Sequence, residues 1–389
     1  MRIAIEALAL IPGITGGIET YVRALVSEML RLEPDNDYLI AVGREAHQQF
    51  HALSPKLEEF NADLGNAGLL RSHRYLQTLS QCWQLHKKLR YWRHDVLHCT
   101  MSFPKPPWGA PRMVTTIHDI GVIDIHHMWK EAGPRLAELL IRIAVRKASA
   151  IITISEFAAE RISNRLGVPS HKLHVVYNGI DHTTFQSRKK ENSETTKSCV
   201  PQKYGIASDF LLYPAHTHLH KNHLKLLAAM RILQESYRLS PLLVLTGSPS
   251  HAHSTVLHAV CELGLQSNVK WLGHVPVKDL AALYQSAIAL VFPSLYEGFG
   301  LPIIEAMACG CPVACSNTTA TAEIAGDAAL TFDPTNAGAI AESIARILTD
   351  TALRQELVDK GLVRARQFSW ENTARQTLAV YRKVLDMAC

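Results

Sequence analysis

Short apolar runs alternate with stretches of helical spacing along the whole chain, a pattern typical of βαβ units with parallel sheets. In the first half, the runs that predict strands are Arg2–Leu8, Tyr38–Val42, Val96–His98, Met113–His118, Ala150–Ile154 and Leu173–Val176. In the second half, they are Phe210–Tyr213, Leu242–Thr246, Val269–Trp271, Ile288–Phe292, Val313–Ser316 and Ala329–Phe332. The pattern therefore predicts two α/β domains built on the same scheme.

A polar segment without hydrophobic periodicity separates the two halves, which predicts a solvated linker. Near the C-terminus, Ser369 is a candidate helix cap, and apolar residues recur at helical spacing from Leu378 to Leu385. A helix with an apolar face must pack against another element. The expected order is a first domain, a linker, a second domain and a terminal helix, at residues 1–185, 186–202, 203–370 and 371–389.

Composition and charge narrow the class of protein. Of 389 residues, 47% are hydrophobic and 19% are charged, as in a soluble globular enzyme. The net charge of +5 is too small for a general attraction to nucleic acid. The chain begins with a predicted strand rather than a signal peptide, and no apolar stretch is long enough to cross a bilayer, so we expect a cytoplasmic protein. Its eight scattered cysteines favour reduced thiols over a disulfide scaffold or a zinc site.

A glycine-rich turn follows the first predicted strand. Gly16 and Gly17 open a helix whose apolar face includes Val22, Leu25 and Met29. Backbone N–H groups at such a helix start approach an anion closely, which suits a diphosphate. The spacing is not that of the G-x-G-x-x-G dinucleotide fingerprint, which argues against a nicotinamide-dependent dehydrogenase. A turn that only reverses the chain is the structural alternative.

His118 ends the predicted strand Met113–His118, and open α/β sheets bind ligands at the carboxyl ends of their strands. Both a ligand-binding and a purely structural histidine are consistent with this position.

The segment richest in candidate chemistry follows the strand Ile288–Phe292. A glycine loop carries Glu297, and a helix that starts with Pro302 in its first turn carries Glu305. The first carboxylate can accept hydrogen bonds from sugar hydroxyls, and the second can bridge the two vicinal hydroxyls of a ribose. A purely electrostatic role for Glu305 at the helix start is the alternative, but it does not explain the adjacent glycine loop.

The spacing of Glu297 and Glu305 around a Gly-Phe-Gly-Leu-Pro interior resembles the hallmark of the retaining GT-B glycosyltransferases of family 4, also called glycosyl transferases group 1. Bacterial mannosyltransferases of surface-polysaccharide biosynthesis are the members that the chain resembles. The resemblance covers nearly the whole chain, through Gly16–Thr20, Thr153–Phe157, Val176–Asp181, Lys221-Asn222, Trp271–Val275 and Phe368–Glu371.

The resemblance implies two Rossmann-like domains facing across a cleft, with the terminal helix crossing back to the N-terminal domain. It implies that Glu305 binds the ribose, Glu297 the sugar and Lys221 the diphosphate, and that His118 contacts the transferred sugar. The catalytic residues expected are His118, Lys221 and Glu297. The donor-binding residues expected are Gly16, Gly17, His216, Lys221, Gly247, His274, Val275, Glu297, Gly298, Phe299, Gly300, Leu301 and Glu305.

His216 is a departure from the family pattern, which usually has an arginine five residues before the lysine. A protonated His216 can replace part of the missing charge. His216, His218, His220 and His223 also allow a metal interpretation, but no carboxylate or cysteine completes a ligand set. The sequence Asp35-Asn36-Asp37 is more consistent with a polar turn than with a metal-binding D-x-D motif. We expect no metal and no cofactor besides the nucleotide sugar.

The segment 69–94 is basic and aromatic and contains no Asp or Glu. Such a helix can lie on an anionic membrane surface or bind a polyprenyl-diphosphate-linked acceptor, which would place the protein at the inner face of the cell membrane. An ordinary amphipathic surface helix is the alternative.

The function that these features predict is transfer of a hexose from a nucleotide sugar to a glycan or lipid-linked saccharide. The resemblance implies mannose from GDP-mannose as the donor, and UDP-glucose or another nucleotide sugar is the alternative. The resemblance implies a metal-independent front-face mechanism that retains the anomeric configuration. Two alternatives stay open at this point. A nucleotide-sugar epimerase or hydrolase of the same fold would also bind the donor, and a non-catalytic sugar-nucleotide scaffold would need Glu305 but not Glu297 or His118.

Overall fold

The computed structural model describes residues 1–13, 15–51, 53–62, 74–101, 110, 112–128, 134–187, 199–207 and 209–387. The chain divides into two compact units. The first contains Met1–Asp124, Ala132–Gly179 and Trp370–Cys389, and the second contains Ile125–Glu131 and Ile180–Ser369.

The first unit is built on a seven-stranded parallel sheet. Its strands are β1 (Arg2–Ala7), β2 (Asp37–Val42), β3 (Leu57–Asn61), β4 (Val96–Cys99), β5 (Met113–Thr116), β6 (Ala150–Thr153) and β7 (Leu173–Val175). Their spatial order is β3-β2-β1-β4-β5-β6-β7, so the order reverses between β1 and β4. In β4, β5 and β6 every residue is buried, as expected for central strands covered on both faces.

Helices connect these strands. They are α1 (Gly17–Leu32), α2 (Arg74–Trp92), α3 (Gly121–Asp124), α4 (Pro134–Lys147) and α5 (Glu156–Leu166). Local sequence sets the ends of α5: the Ser155 hydroxyl accepts the Ala158 N–H at 3.1 Å, and Gly167 ends the helix with a φ of 67°.

The second unit contains a six-stranded parallel sheet. Its strands are β8 (Phe210–Pro214), β9 (Leu242–Thr246), β10 (Val269–Trp271), β11 (Ala289–Phe292), β12 (Val313–Ser316) and β13 (Leu330–Phe332), in the order β10-β9-β8-β11-β12-β13. Its helices are α6 (Cys199–Lys203), α7 (His223–Ile232), α8 (His253–Glu262), α9 (Val277–Tyr284), α10 (Leu301–Ala308), α11 (Thr319–Ala325), α12 (Ala337–Thr349) and α13 (Thr351–Ala365).

The terminal helix α14 (Trp370–Asp386) returns to the first unit. Leu378 and Tyr381 on its apolar face join Val22 and Leu25 of α1 in one buried cluster. Burying a large apolar side chain such as Leu378 contributes about 1.5–3 kcal/mol, so this face anchors the helix firmly. The prediction that the terminal helix packs back onto the N-terminal domain is confirmed.

Each of the predicted strands is present, with ends that differ by at most a few residues. The strand β3 was not predicted, because its sequence Leu-Glu-Glu-Phe-Asn interrupts the apolar pattern. The second unit begins at Ile180, before the linker expected at 186–202, of which residues 188–198 lie outside the described part. Ile180 is held there by a parallel bridge to Ser369, a pairing across a long sequence separation that local patterns do not reveal.

Candidate functional site

The carboxyl ends of β8 to β11 share one edge of the second sheet, where an open parallel sheet places its ligands. Backbone hydrogen bonds tie the loops at this edge together. The Gly247 N–H donates to the Gly273 carbonyl at 2.8 Å, and the Leu295 N–H donates to the His220 carbonyl at 2.8 Å. Gly247 has a φ of 112°, and a Cβ there would lie 2.7 Å from the Ala215 carbonyl oxygen. Only glycine fits this close approach of two loops.

Hydrogen bonds to the backbone around Lys221 fix this residue at the carboxyl edge of the sheet. It ends a short 3₁₀ turn, and its carbonyl accepts the Tyr213 hydroxyl at 2.6 Å. Asn222, the next residue, has a left-handed conformation with a φ of 62° and starts α7. Its amide donates to the carbonyls of Pro293 and Pro334 at 3.0 and 2.8 Å. The turn carrying Lys221 is thus fixed to the loop after β11.

Lys221 and Glu297 form a salt bridge. The Lys221 Nζ lies 2.6 Å from Oε1 of Glu297, and the two side chains are 19% and 13% exposed. The ammonium and carboxylate therefore neutralise each other in a mostly desolvated position. The structure brings together the two residues that the resemblance assigned to the diphosphate and the sugar.

Thr319 supports Glu297 from the start of α11. The Glu297 N–H donates to the Thr319 hydroxyl at 3.3 Å, and the Ala320 N–H donates to the Glu297 carbonyl at 3.4 Å. Thr319 has a φ of 57°, in the left-handed region that a β-branched residue rarely adopts. Such a conformation costs on the order of 1–3 kcal/mol and persists because the surrounding contacts impose it.

The glycine loop after Glu297 leads directly into α10. Gly298, Phe299 and Gly300 are buried, and Gly300 caps the helix with a φ of 106°. The Phe299 ring packs edge-on against Phe368, with ring centroids 5.8 Å apart. Leu301 is the first residue of the helix, and Pro302 lies in its first turn, as expected.

Glu305 lies one turn into α10 and accepts the Tyr284 hydroxyl on Oε2 at 3.0 Å. Burial raises the pKa of Glu305 to about 7, while the hydrogen bond from Tyr284 acts in the opposite direction. Near neutral pH this carboxyl group therefore exists in both protonation states. A ligand that donates hydrogen bonds to it favours the ionised form.

His216 lies beside the loop after β9. Its Nδ1 lies 3.0 Å from the Ser248 backbone nitrogen, from which it can accept, and 3.3 Å from the Ser248 carbonyl oxygen, to which it can donate in the other tautomer. The other predicted donor-binding residues of this region, His274 and Val275, follow β10, with His274 exposed and Val275 buried.

The neighbouring histidines are packed together rather than arranged around an ion. The rings of His218 and His220 are stacked with centroids 5.5 Å apart. Burial, reinforced by the nearby Lys221 charge, lowers the pKa of His218 to about 4, that of His220 to about 2 and that of His223 to about 3. Within the part of the chain that the structure describes, no group of three or more His, Cys, Asp or Glu residues could hold a metal ion.

The remaining predicted site residues, His118, Gly16 and Gly17, lie in the first unit. The His118 Nε2–H donates to the Thr100 carbonyl at 3.1 Å, because a carbonyl oxygen can only accept. Burial lowers the pKa of His118 to about 4, so the ring is neutral and Nδ1 carries a lone pair. Gly16 caps α1 with a φ of 55°, and Gly17 begins the helix.

Tyr284 and Thr319 form hydrogen bonds with the candidate residues Glu305 and Glu297, and the sequence did not indicate either of them. In the sequence, Tyr284 fits the apolar pattern of α9 like its other buried residues. Only the fold brings its hydroxyl to Glu305. Thr319 carries no signal because glycine, asparagine and aspartate are the residues expected in a left-handed conformation.

Two family models together match most of the chain. Residues 201–363 match the family described as Glycosyl transferases group 1, and residues 15–184 match Glycosyltransferase Family 4. The O-antigen chain mannosyltransferase B of Escherichia coli is 33% identical over 318 residues, which cover 81% of this chain and 80% of that protein. An uncharacterised glycosyltransferase of Methanocaldococcus jannaschii is 26% identical over 100% of this chain and 99% of its own length.

A solved structure shows the same fold. Sucrose-phosphate synthase from Thermosynechococcus elongatus superposes with a TM-score of 0.81 at 22% identity, over 100% of both chains.

Among the described residues, no helix combines the length and the apolar character that a membrane span requires.

Proposed function

The chain belongs to the glycosyltransferases of family 4 and has their GT-B fold, and from this premise we propose that it transfers mannose from GDP-mannose to a glycan or a polyprenyl-diphosphate-linked saccharide. The observation that carries the proposal is the salt bridge between Lys221 and Glu297 at the carboxyl edge of the second sheet, close in sequence to Glu305. The mannose donor is supported by the name of the Escherichia coli relative.

In this proposal the second unit binds the donor. Glu305 accepts hydrogen bonds from the ribose hydroxyls, and Glu297 with the backbone of Phe299, Gly300 and Leu301 binds the mannose. Lys221 supplies positive charge to the diphosphate, where electrostatic stabilisation of the leaving group is the main catalytic contribution. Gly247, His274 and Val275 surround the base, and His216 places its imidazole next to the diphosphate.

The first unit supplies His118 for the transferred sugar and the N–H groups of Gly16 and Gly17 for the diphosphate. Because Nδ1 of His118 carries a lone pair, it can accept a hydrogen bond from a sugar hydroxyl. Not every N–H group of the glycine turn is available for the diphosphate. The Glu19 carboxylate accepts the Gly13 N–H at 2.7 Å and so occupies one donor of the turn.

The proposed step retains configuration at the anomeric carbon. The bond from C1 to the diphosphate oxygen breaks, and a bond from C1 to an acceptor hydroxyl oxygen forms on the same face of the sugar. The proton of that hydroxyl passes to the departing phosphate oxygen. The proposal requires neither an enzymic nucleophile nor a metal ion.

We propose that the outer face of α2 binds an anionic membrane near a lipid-linked acceptor. Trp83 is 53% exposed and Tyr91 86% exposed, and the Lys87 Nζ lies 3.5 Å from the centre of the Trp83 ring. Arg90 and Arg93 are also exposed, while Leu85 and Leu89 face the core. Exposed aromatic and basic side chains on one helix face suit a lipid interface. Residues 69–73 of the segment predicted for this role lie outside the described residues.

Vesicle co-sedimentation tests the membrane proposal. The wild-type protein should sediment with phosphatidylglycerol vesicles and not with phosphatidylcholine vesicles, and the double variant Trp83→Ala/Lys87→Glu should lose most of this binding. Val363→Ala, which removes an exposed apolar side chain from the second unit, is the control and should bind normally. Equal sedimentation of the wild type and the double variant would contradict the assignment.

A thermal-shift screen of nucleotide sugars tests the donor. A ligand that binds only the folded state raises the free energy of unfolding, by about 2.7 kcal/mol when its concentration is a hundred times its Kd. The unfolding temperature rises with it, so the size of the shift reports affinity. GDP-mannose should give a larger shift than UDP-glucose or UDP-galactose, and Glu305→Gln should reduce that shift. A larger shift with a UDP-sugar would replace the proposed donor.

A further inference from the structure

A chain of hydrogen bonds between buried polar side chains joins the terminal helix to the centre of the first sheet. The Tyr381 hydroxyl of α14 lies 2.6 Å from Nδ1 of His98 on β4. Nε2 of His98 lies 2.7 Å from the Thr116 hydroxyl at the end of β5, which in turn lies 3.0 Å from the Tyr21 hydroxyl of α1. All four side chains are fully buried. We call these four residues the buried relay.

Which atoms donate and which accept in one hydrogen bond of the buried relay determines the donor and acceptor in the next. Burial lowers the pKa of His98 to about 3, so its imidazole is neutral and has one donor and one acceptor nitrogen. If Tyr381 donates to Nδ1, the proton of His98 is on Nε2, which donates to Thr116. If instead Nδ1 donates to Tyr381, Nε2 accepts from Thr116. Removing the Tyr381 hydroxyl therefore leaves a buried ring nitrogen of His98 without its partner and frees the orientation of the next bond.

The buried relay ends beside His118. The ring of Tyr21 meets the His118 ring edge to face, with centroids 4.9 Å apart and an interplanar angle of 89°. On its other side, His118 is bound to the Thr100 carbonyl. Thr100 is itself fixed by hydrogen bonds from its N–H and its hydroxyl to the Glu6 carbonyl at 3.1 and 2.8 Å. The imidazole is therefore held by a backbone carbonyl and by one aromatic ring.

We propose that Tyr381 is a positioning residue for His118 and acts through His98, Thr116 and Tyr21. The terminal helix then has a role beyond packing, because it fixes the ring against which the histidine rests. The inference rests on the proposed function only for the role of His118 in transfer. The structural coupling itself is independent of any activity.

Nuclear magnetic resonance tests this coupling without turnover. In Tyr381→Phe, which keeps the ring and removes the hydroxyl, the ring resonances of both His98 and His118 should shift. Tyr38→Phe is the matched control, because the Tyr38 side chain is also buried but its hydroxyl donates to the Met29 carbonyl at 2.9 Å, outside the relay. It should leave the His118 resonances in place. Unchanged His118 resonances in Tyr381→Phe would overturn the proposal.

A second measurement needs only the wild-type protein and covers the case in which the variant does not fold. The ring nitrogens of His98 should give one protonated and one unprotonated ¹⁵N signal at neutral pH, with a slowly exchanging N–H. Rapidly averaging tautomers or a doubly protonated ring would overturn the proposal.

Kinetics then connect the relay with the proposed reaction. A displaced catalytic group costs rate, so Tyr381→Phe should lower kcat roughly tenfold. The KM for the donor should change less than about twofold, because Lys221, Glu297 and Glu305, to which the proposal assigns the diphosphate, the sugar and the ribose, lie in the other unit. Tyr38→Phe should lose comparable stability and keep its kcat. If the wild type transfers no sugar, the proposed function fails, but the resonance shifts still show whether Tyr381 is coupled to His118. If the shifts occur and the kcat of Tyr381→Phe is unchanged, the proposal that Tyr381 positions His118 for catalysis is refuted.

Discussion

The ammonium of Lys221 lies 2.6 Å from the carboxylate of Glu297, and both side chains are largely shielded from water. In the absence of donor the two charges satisfy each other. In the proposed function, a nucleotide sugar offers a diphosphate to the lysine and hydroxyl groups to the carboxylate, so it replaces one well-matched contact by two. The salt bridge therefore keeps both groups in place and desolvated before the donor arrives.

This pairing predicts a non-additive effect on stability. Lys221→Met should lower the free energy of unfolding by about 3 kcal/mol, because it leaves the Glu297 carboxylate without its partner. The double variant Lys221→Met/Glu297→Gln should recover most of that loss, since no charge is then left unpaired. Urea denaturation of the wild type, both single variants and the double variant measures the coupling. Additive losses would show that the pair contributes nothing as a pair.

The pKa of Glu305 predicts how donor binding depends on pH. With a pKa of about 7 in the free protein, the ionised fraction of Glu305 grows as the pH rises from about 6 to 8. Ribose hydroxyls donate to the ionised form, so calorimetry should show that the Kd for GDP-mannose falls over this range and then levels off. In Glu305→Gln, which has no titrating group at this position, binding should be weaker and nearly independent of pH. An identical pH dependence in this variant would assign the effect to another group.

Thr319 allows the hydrogen bond to Glu297 to be separated from backbone strain. Thr319→Ser keeps the hydroxyl that accepts the Glu297 N–H and relieves the β-branched side chain in a left-handed conformation. It should match or exceed the wild type in stability and keep the transfer rate. Thr319→Val keeps the branched shape and removes the acceptor, so its kcat should fall roughly tenfold. Transfer at the wild-type rate by Thr319→Val would contradict the supporting role.

Buried neutral histidines predict loss of stability in acid. Their pKa values are lower in the folded protein than the unperturbed 6.5, so the unfolded state binds more protons as the pH falls below that value. His223, with a pKa of about 3, should contribute a loss of about 2 kcal/mol between pH 7 and pH 5. Glu305 has the opposite sign: its raised pKa makes stability fall as the pH rises from about 4.5 to 7, so it offsets part of the effect.

The variant His223→Phe isolates the contribution of one histidine. Its ring should still pack between Tyr213 and Trp271, and the readout is the change in unfolding free energy between pH 7 and pH 5 rather than its absolute value. The wild type should lose about 2 kcal/mol more than the variant over this interval. Equal losses would mean that His223 titrates normally in the folded protein.

The sequence was a good guide to the fold because central parallel strands are buried on both faces and appear as uninterrupted apolar runs, as in Val313–Ser316. It failed at β3, where Glu58 and Glu59 break the run. The glycine loop was also recognisable, since Gly300 has a φ of 106°, a conformation that favours glycine.

The partners of the site residues were not predictable, because they come from distant segments. Nothing near Glu305 indicates that Tyr284 donates to it, and nothing near His118 indicates that Tyr381 is three hydrogen bonds from Tyr21. Side-chain contacts across a long sequence separation depend on the packed fold. The sequence thus predicts which residues carry chemistry, and the structure shows which residues hold these candidates in place.

The most direct test of the central claim is the rate of mannose transfer from GDP-mannose to a polyprenyl-diphosphate-linked saccharide by the wild type, Lys221→Ala and Glu297→Ala, with circular dichroism to verify folding. We predict that the wild type transfers mannose and that both folded variants lose essentially all transfer. Near-normal turnover by either variant would contradict the roles proposed for the salt-bridged pair.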